Sequence, residues 1–355
     1  MNNMTEPILG NTQLKLLERL CNAVAVSGEE GEVRAIVLDE IRAHVEDVRV
    51  DALGNVLATR SGSGRNRPRI MLAAHMDEVG FMLVNADGEG LFQFETVGSI
   101  DVRQLPGKRV WVGKGHLPGV IGARPIHLTT AEERERKIPL ESLRIDLGPK
   151  AGLAQPGECA AFATSFRRAG PSLLAKALDN RLGVATLIEL IKHAPPNIDL
   201  LAAFTVQEEI GLRGAGVAAH ALKPDLALVL DCTPANDLPM YDDSENHLYN
   251  TRLDAGPAIY TADGGMVHDV RLVRFLAETA QAAKIPFQYR QPGGGQTDAA
   301  AIQRSLTGIP AVSVSVPGRY AHTACSLCRL DDWKNTLRLL YTALQQVTPA
   351  LLKQQ

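Results

Sequence analysis

The sequence lacks any strong excess of charge of one sign. Its 355 residues include 37 Lys and Arg against 40 Asp and Glu, a net charge of −3, with no basic stripe anywhere along the chain. Proteins that bind nucleic acid through its phosphates need such a stripe. We therefore expect no nucleic-acid partner.

Long apolar runs are also missing. No stretch approaches the roughly 18 consecutive apolar residues that a membrane-spanning helix needs, so we expect no membrane partner. Near the N-terminus, Leu14, Leu17, Cys21 and Val24 recur at helical spacing among polar residues. This pattern predicts an amphipathic surface helix and not a secretory signal.

Cysteine is scarce. The five cysteines are odd in number, and their spacing suggests no disulfide framework. We therefore expect reduced thiols and a cytoplasmic protein. Cys325 and Cys328 form the one C-x-x-C pair, and we favour ordinary reduced cysteines over metal ligands there.

The order of predicted elements divides the chain into two domains. Helices and strands alternate in residues 1–80 and 172–355, which is typical of an α/β fold: three αβα layers around a doubly wound, mostly parallel sheet. Residues 81–171 instead contain short β-type runs between glycine-rich turns. They predict a small, barrel-like β domain inserted into the first domain.

Two local patterns refine the first domain. Ser27 and Glu30 have the spacing of a capping box, which predicts a helix over residues 30–45. The dipeptide Gly54-Asn55 predicts a turn between two short strands.

Polar side chains with metal-binding chemistry follow several predicted strands at the point where each strand ends. These residues are His75, Asp77, Glu208, Glu209, Asp231 and His322. In an open parallel sheet, ligands bind at the carboxyl ends of the strands, and mixed imidazole and carboxylate ligands suit Zn²⁺ and related ions. A single carboxylate after a strand also fits a helix cap, so the prediction depends on their coincidence at one edge.

Longer motifs surround these residues and extend over nearly the whole chain. They occupy residues 26–29, 51–55, 75–82, 176–181, 207–215, 294–298 and 319–323, together with Asp231. On these motifs the chain resembles the tetrahedral aminopeptidases, a family of dinuclear-metal peptidases that includes glutamyl aminopeptidases. The segments around His75, Asp179 and Glu208 are together highly specific for that resemblance.

The resemblance implies two divalent ions per subunit, Zn²⁺ or Co²⁺ first and Mn²⁺ as a third option. It assigns His75, Glu209, Asp231 and His322 as terminal ligands and Asp179 as the carboxylate that bridges both ions. These residue types agree with the chemistry, because two cations about 3.5–4 Å apart need a bidentate anion between them.

The resemblance also assigns the proton-handling residues. Glu208 matches the general base, which must stay free to move a proton from the attacking water to the leaving amine. Asp77 fits the carboxylate that orients the His75 imidazole. A free substrate N-terminus, once deprotonated, can complete one ion's coordination, which would select cleavage at peptide N-termini.

Activity and assembly follow from the same resemblance. It implies removal of N-terminal residues from short peptides, an inserted domain that forms dimers, and self-association up to a tetrahedral dodecamer. The glycine-rich segment before Thr297 can form a pocket wall or a capped loop, and we name Gly295, Thr297 and Asp298 as candidate substrate-binding residues. The preferred N-terminal side chain stays open.

Three other functions compete with an aminopeptidase. A deacylase or amidohydrolase acting on small amides would need an arginine for the substrate carboxylate, and the sequence identifies none. A glycosidase with paired carboxylates would leave both candidate histidines without a purpose. A non-catalytic metal-binding protein would be expected to lack Glu208, which is present.

Overall fold

The computed structural model describes residues 6–148, 154–242, 244, 246–247 and 250–353. The helices in this part are α1 Asn11–Asn22, α2 Gly31–Ile41, α3 Ala131–Glu135, α4 Leu178–Lys192, α5 Arg213–Leu222, α6 Val270–Ala282, α7 Asp298–Gln303 and α8 Leu330–Gln346. The strands are β1 Asp47–Val50, β2 Val56–Arg60, β3 Arg69–His75, β4 Gly80–Gly88, β5 Leu91–Val97, β6 Arg109–Val112, β7 Leu117–Gly122, β8 Arg144–Asp146, β9 Cys159–Phe162, β10 Arg167–Ala169, β11 Ser172–Ala175, β12 Asp199–Thr205, β13 Leu226–Pro234, β14 Ala258–Tyr260, β15 Gln288–Arg290, β16 Ala311–Arg319 and β17 Ser326–Arg329.

A large mixed sheet forms the centre of the molecule. Its strand order is β1-β2-β12-β3-β13-β16-β17-β11-β10, with β14 and β15 attached beside β16. The central strands β12, β3, β13 and β16 are parallel, whereas the outer pairs such as β1 with β2 are antiparallel. The predicted α/β fold with a mostly parallel central sheet is confirmed.

Side chains of the central strands are buried on both faces, as expected when helices cover a parallel sheet on each side. Along β3, Ile70 and Leu72 pack into the core formed with α1, α2, α4, α6 and α8. Met71 and Ala73 point the other way, into the core formed with α5 and α7. The alternation follows from the two-residue period of a strand.

The second β structure is a closed barrel of strands in the order β4-β5-β8-β7-β6-β9. The Phe81 ring packs edge-to-face against Phe94 and Phe162 in its interior, with centroids 5.3 and 5.1 Å away. The predicted barrel-like β structure is therefore confirmed.

The domain division at residues 81–171 stays a prediction, and residues 149–153 of that range lie outside the described part. Strand β10 already pairs with β11 of the central sheet before the predicted boundary.

Several local predictions can be compared with these elements. Helix α1 and the turn before β2 occur where the sequence predicts them. The predicted capping box is wrong, because Glu30 is the cap position of α2 without a side-chain cap bond and the Ser27 hydroxyl donates to Asp77 instead. The helix also ends at Ile41 and is followed by a short 3-10 turn, Arg42–His44. None of the described helices is long and apolar enough to cross a membrane.

Candidate active site

A cavity of about 780 Å³ opens at the carboxyl ends of the central parallel strands. The six side chains that the resemblance assigns as ligands and base all line it: His75, Asp179, Glu208, Glu209, Asp231 and His322. His75 ends β3, Asp231 lies in β13, and the two glutamates follow β12. The strand ends therefore bring together residues from distant parts of the chain, as the sequence pattern predicts.

Two groups of potential metal ligands meet at Asp179. His75, Asp179 and Asp231 form one group, and Asp179, Glu209 and His322 form the other, with ligand atoms inside each group within 4.8 Å of one another. His75 Nε2 lies 3.3 Å from Asp179 Oδ1 and 3.5 Å from Asp231 Oδ1.

On the other side of Asp179, the His322 Nε2 atom lies 3.2 Å from Glu209 Oε2 and 3.7 Å from Asp179 Oδ2. Each of the two Asp179 carboxylate oxygens therefore faces a different ligand group.

In both imidazoles, the ring nitrogen that faces away from Asp179 forms a hydrogen bond with a backbone carbonyl oxygen. His75 Nδ1 lies 3.2 Å from the backbone oxygen of Asp77, and His322 Nδ1 lies 3.0 Å from that of Ser99 in the barrel segment. A carbonyl only accepts, so each Nδ1 donates a proton to it. Nε2 is therefore the ring nitrogen that a cation would bind, in place of the proton that it can carry.

The Asp77 carboxylate braces the segment that carries the two glutamates. It accepts from the backbone N–H of Glu208 at 3.0 Å and of Glu209 at 3.1 Å, and from the Ser27 hydroxyl at 2.6 Å. It also lies 3.4 Å from His75 Nδ1. One fully buried carboxylate therefore fixes an imidazole and a backbone turn together.

Two buried asparagines fix the loops that lead into the site. Asn55 accepts from Val206 N–H and donates to the Gly214 carbonyl, on either side of the glutamate turn. Asn180 donates to the Leu230 carbonyl at 2.8 Å, which ties the start of α4 to β13 beside Asp231.

Two residues at the site have a strained backbone conformation. Gln207, immediately before Glu208, has φ 56°, and His322 has φ 57°. Side-chain-bearing residues rarely adopt such values, and they persist where the surrounding structure holds them, often at functional sites.

The carboxylates of the cavity are crowded and buried. Burial, with the charges of neighbouring acids, raises the pKa of Glu208 and Glu209 well above the usual range and that of Asp231 to about 6. Burial would also raise the pKa of Asp179, but its contacts with His75 and His322 outweigh this and lower it. If all of these carboxylates were ionised, the two imidazoles would carry too little positive charge to neutralise them.

The donor set fits divalent cations. Asp179 Oδ1 is buried without a hydrogen-bond partner among the described residues, although His75 Nε2 is near. An unpartnered oxygen between imidazole and carboxylate ligands is what a cation would satisfy. Glu208 also groups with His75 and Glu209, but it lies outside both groups that share Asp179.

A buried ion cluster supports the floor of the site next to Asp77. Glu78 accepts from Lys176 Nζ at 2.7 Å and from Arg181 Nη2 at 3.0 Å, and it also accepts from Ala25 N–H. All three charged side chains are at most 3 % exposed. The cluster joins β3 to the start of α4, the segment that carries Asp179.

The candidate substrate-binding residues occupy different positions. Gly295 lines the cavity. Thr297 is buried and caps α7 by accepting from Ala299 N–H. Asp298 is buried and accepts from the Thr205 hydroxyl at 2.5 Å, so contact of these two side chains with substrate remains a prediction.

Three residues of the site are not found by sequence reasoning. Ser27 has the spacing of a helix cap, so its pattern points elsewhere. Ser99 acts through its backbone carbonyl, which no residue type reveals. Arg290 lines the cavity from the end of a short strand, and nothing in its local sequence distinguishes it. Cys325 and Cys328 belong to none of the ligand groups found in the described residues.

Comparison with known proteins places this site in context. The family profile described as M42 glutamyl aminopeptidase matches residues 54–339. The glutamyl aminopeptidase of Lactococcus lactis is 31 % identical over 95 % of this chain and 98 % of its own length. The lysyl aminopeptidase of Pyrococcus furiosus is 30 % identical over 94 % and 97 %.

A solved structure gives the same result. The TET1 peptidase of Pyrococcus horikoshii, described as able to assemble into a tetrahedron or a large octahedral shell, superposes with a TM-score of 0.82. It is 31 % identical, and the match covers 94 % of this chain and all of that one.

Proposed function

This chain belongs to the M42 glutamyl aminopeptidase family and is a metal-dependent aminopeptidase, and on that premise we propose how its residues divide the work. His75, Asp179 and Asp231 would hold one divalent ion, and Asp179, Glu209 and His322 would hold the second. Glu208 would act as the general base.

One observation carries this proposal. The ligand groups share Asp179 through its two oxygens, and Glu208 stands beside both without being needed in either. A carboxylate that is needed as a ligand cannot also exchange protons freely, so the residue left over is the candidate base. Bound ions would lower the pKa of a water molecule and polarise the scissile carbonyl.

The chain's own residues position and move the proton. Glu208 would accept it from the attacking water and deliver it to the nitrogen of the leaving peptide. Asp77 keeps the Glu208 carboxylate in place by holding its backbone N–H. The Ser99 carbonyl contacts Nδ1 of His322 at 3.0 Å, so Nε2 is the ring nitrogen that faces the site.

The metal proposed is Zn²⁺ or Co²⁺, with Mn²⁺ as the third option. Imidazole nitrogens together with carboxylate oxygens suit each of them, and affinity alone does not choose the ion that a cell supplies. Metal analysis of the purified protein identifies it.

The substrates proposed are short peptides with a free N-terminus. The relatives named above include a glutamyl and a lysyl aminopeptidase, so family membership does not choose the N-terminal side chain. All five cysteines are free, which agrees with the cytoplasmic location that we propose.

We also propose assembly through the barrel towards a tetrahedral dodecamer. Large apolar side chains are exposed on the barrel segment, with Val84 at 51 %, Ile126 at 70 % and Leu128 at 62 % exposure. The matched TET1 peptidase forms such shells. Light scattering on the eluting protein should give a multiple of the 38.2 kDa chain mass, and Ile126→Lys should reduce it. A monomer at all concentrations would refute the assembly.

The test of the catalytic proposal uses a panel of aminoacyl-p-nitroanilides and peptides with free or N-acetylated ends. Each is incubated with metal-stripped protein, with protein to which one metal has been returned, and with Glu208→Gln. The control is Glu95→Gln, which makes the same change on the exposed surface of the barrel. Metal stoichiometry is measured on every sample by calorimetry.

We expect metal-dependent release of N-terminal residues that acetylation blocks. Glu208→Gln should still bind two ions and lose about 10²–10⁴ of the rate, the usual contribution of a general base, while Glu95→Gln keeps the wild-type rate. A Glu208→Gln protein with full activity would refute the base assignment. Cleavage of N-acetylated amino acids instead of free peptides would favour the deacylase, and glycoside cleavage that survives chelators would favour the glycosidase.

A further inference from the structure

A second cavity, of about 450 Å³, adjoins the active-site cavity. It lies between the barrel segment, which contributes Lys108, and the loop between β16 and β17 that also carries His322. Pro234, Asn236 and Ala321 line both cavities. A chain that begins in the active-site cavity can therefore continue into the second one.

The two cavities differ in charge. Four acids line the active-site cavity, namely Asp179, Glu208, Glu209 and Asp231. Among the described residues, no acid lines the second cavity, and Lys108 is the one charged residue there. An acidic cavity therefore opens beside a cavity whose charge is positive.

The charge of Lys108 is not neutralised by the protein. Its backbone is fixed, because its N–H donates to the Leu105 carbonyl at 3.0 Å and its own carbonyl accepts from Ile121 N–H at 2.8 Å. Its half-buried side chain forms no ion pair or hydrogen bond within the described part of the chain. Asp237, next to a residue that lines the cavity, is already paired with Arg319 at 2.6 Å.

Polar groups around Lys108 suit an anionic ligand. Asn236 and Gln104 line the cavity with exposed side chains, and each amide can donate two hydrogen bonds. Burial raises the pKa of the Cys325 thiol, and the Lys108 charge opposes that rise, as expected if the ammonium group lies on the same side of the cavity as Cys325. The cavity therefore offers one cation and two neutral donors to a carboxylate.

The order of the two charges matches a short peptide. Such a peptide has an amino group at one end and a carboxylate at the other, and complementary charge orients a ligand as it binds. Two or three extended residues beyond the scissile bond cover about 7–11 Å. A longer peptide would carry its terminal carboxylate past the second cavity.

We propose that the second cavity is a binding site for the C-terminal carboxylate of short peptides, with Lys108 as its cation. The inference rests on the proposed function, because it places the peptide N-terminus at the metal ligands and the leaving part of the peptide in the second cavity. It makes tripeptides and tetrapeptides better substrates when their C-terminus is free than when it is amidated.

The test measures kcat/KM for peptides of two to eight residues, each as the free acid and as the C-terminal amide. All begin with the residue that the p-nitroanilide panel shows to be preferred. Because Lys108 is only half-buried, we expect an acid-to-amide ratio of about 2- to 5-fold for tripeptides and tetrapeptides, mainly through KM. The ratio should approach one for octapeptides, and it should shrink as salt is added, since salt screens a half-exposed pair.

Variants of Lys108 test whether its charge causes the preference. In Lys108→Gln the ratio should fall to about one, in Lys108→Arg it should persist, and in Lys108→Glu it should drop below one. The matched control is Lys114→Glu, because Lys114 belongs to the same barrel, is 92 % exposed and does not line the cavity. The control should keep the wild-type ratio at every length. Light scattering on each variant reports its assembly.

The outcomes separate the inference from the proposed function. A wild-type ratio of one at every length would overturn the inference, while cleavage of p-nitroanilides would still establish the aminopeptidase. A preference for free acids that survives in Lys108→Glu would overturn it as well. A variant that changes the assembly mass but keeps the ratio would assign Lys108 to a subunit interface instead. Protein that cleaves neither peptides nor p-nitroanilides would refute the proposed function, and the inference with it.

Discussion

The Asp77 carboxylate offers a direct test of how the site is held together. Asp77→Asn preserves size and replaces one acceptor oxygen with an NH₂ donor. In the native protein one oxygen accepts from Glu208 N–H and the other from Glu209 N–H and the Ser27 hydroxyl. Whichever way the amide turns, one donor then faces another donor in a fully buried place.

The expected cost of Asp77→Asn follows from the number of hydrogen bonds that the substitution removes. At least one hydrogen bond to a charged acceptor is lost and a buried N–H is left unsatisfied, which costs about 1–3 kcal/mol. Because the lost bond anchors the candidate base or its ligand neighbour, we expect kcat/KM or metal affinity to fall by about 10- to 100-fold.

The assay measures kcat/KM on the preferred p-nitroanilide, metal affinity by competition with a chelator, and the free energy of unfolding in urea. Ser27→Ala is the control, because it removes one hydrogen bond to Asp77 and leaves both backbone bonds in place. We expect its effect on activity to be the smaller of the two. Asp77→Asn protein with wild-type activity and metal affinity would refute the idea that this carboxylate braces the site.

Two further predictions concern stability. Glu78→Gln leaves Lys176 buried beside an uncharged partner and should lower the free energy of unfolding in urea by about 3–5 kcal/mol. The control, Arg338→Gln, breaks an exposed ion pair and should lower it by less than about 1 kcal/mol. Equal effects of the two substitutions would contradict this reasoning. At the cap of α6, burial opposes ionisation of Asp269, but hydrogen bonds from Arg271 and the first N–H groups outweigh it and lower the Asp269 pKa. A lowered folded-state pKa means that the charged form stabilises the protein above about pH 4, and that this stability is lost as pH falls through the lowered pKa. The unfolding free energies of wild type and Asp269→Asn should therefore converge under acid, and a constant difference would count against it.

Part of the site could be predicted from the sequence, because local sequence patterns indicate where some of its residues lie relative to the strands. A buried parallel strand is a continuous apolar run, so His75 could be located at a strand end without a structure. The same expectation is wrong for Asp231, because β13 continues past it to Pro234. Parallel strands share their carboxyl edge, which made convergence of these residues predictable. The two-residue and 3.6-residue periods also gave the fold class. The roles of Asp179 as shared ligand and Glu208 as base came from the family resemblance, since nothing local separates Glu208 from Glu209.

The remaining features depend on contacts between distant segments. Ser27 has the spacing of a helix cap, yet its hydroxyl is used by Asp77, 50 residues away. His322 is oriented by a backbone carbonyl of the barrel segment, 223 residues earlier. Arg290 faces the cavity only because β15 pairs with β14 beside the parallel strands. The sequence determined which chemistry meets at the edge of the sheet, because strand ends and residue types are local properties. The tertiary structure alone decided which donors hold those groups and that Arg290 lines the cavity, because hydrogen bonds and strand pairing depend on positions in space.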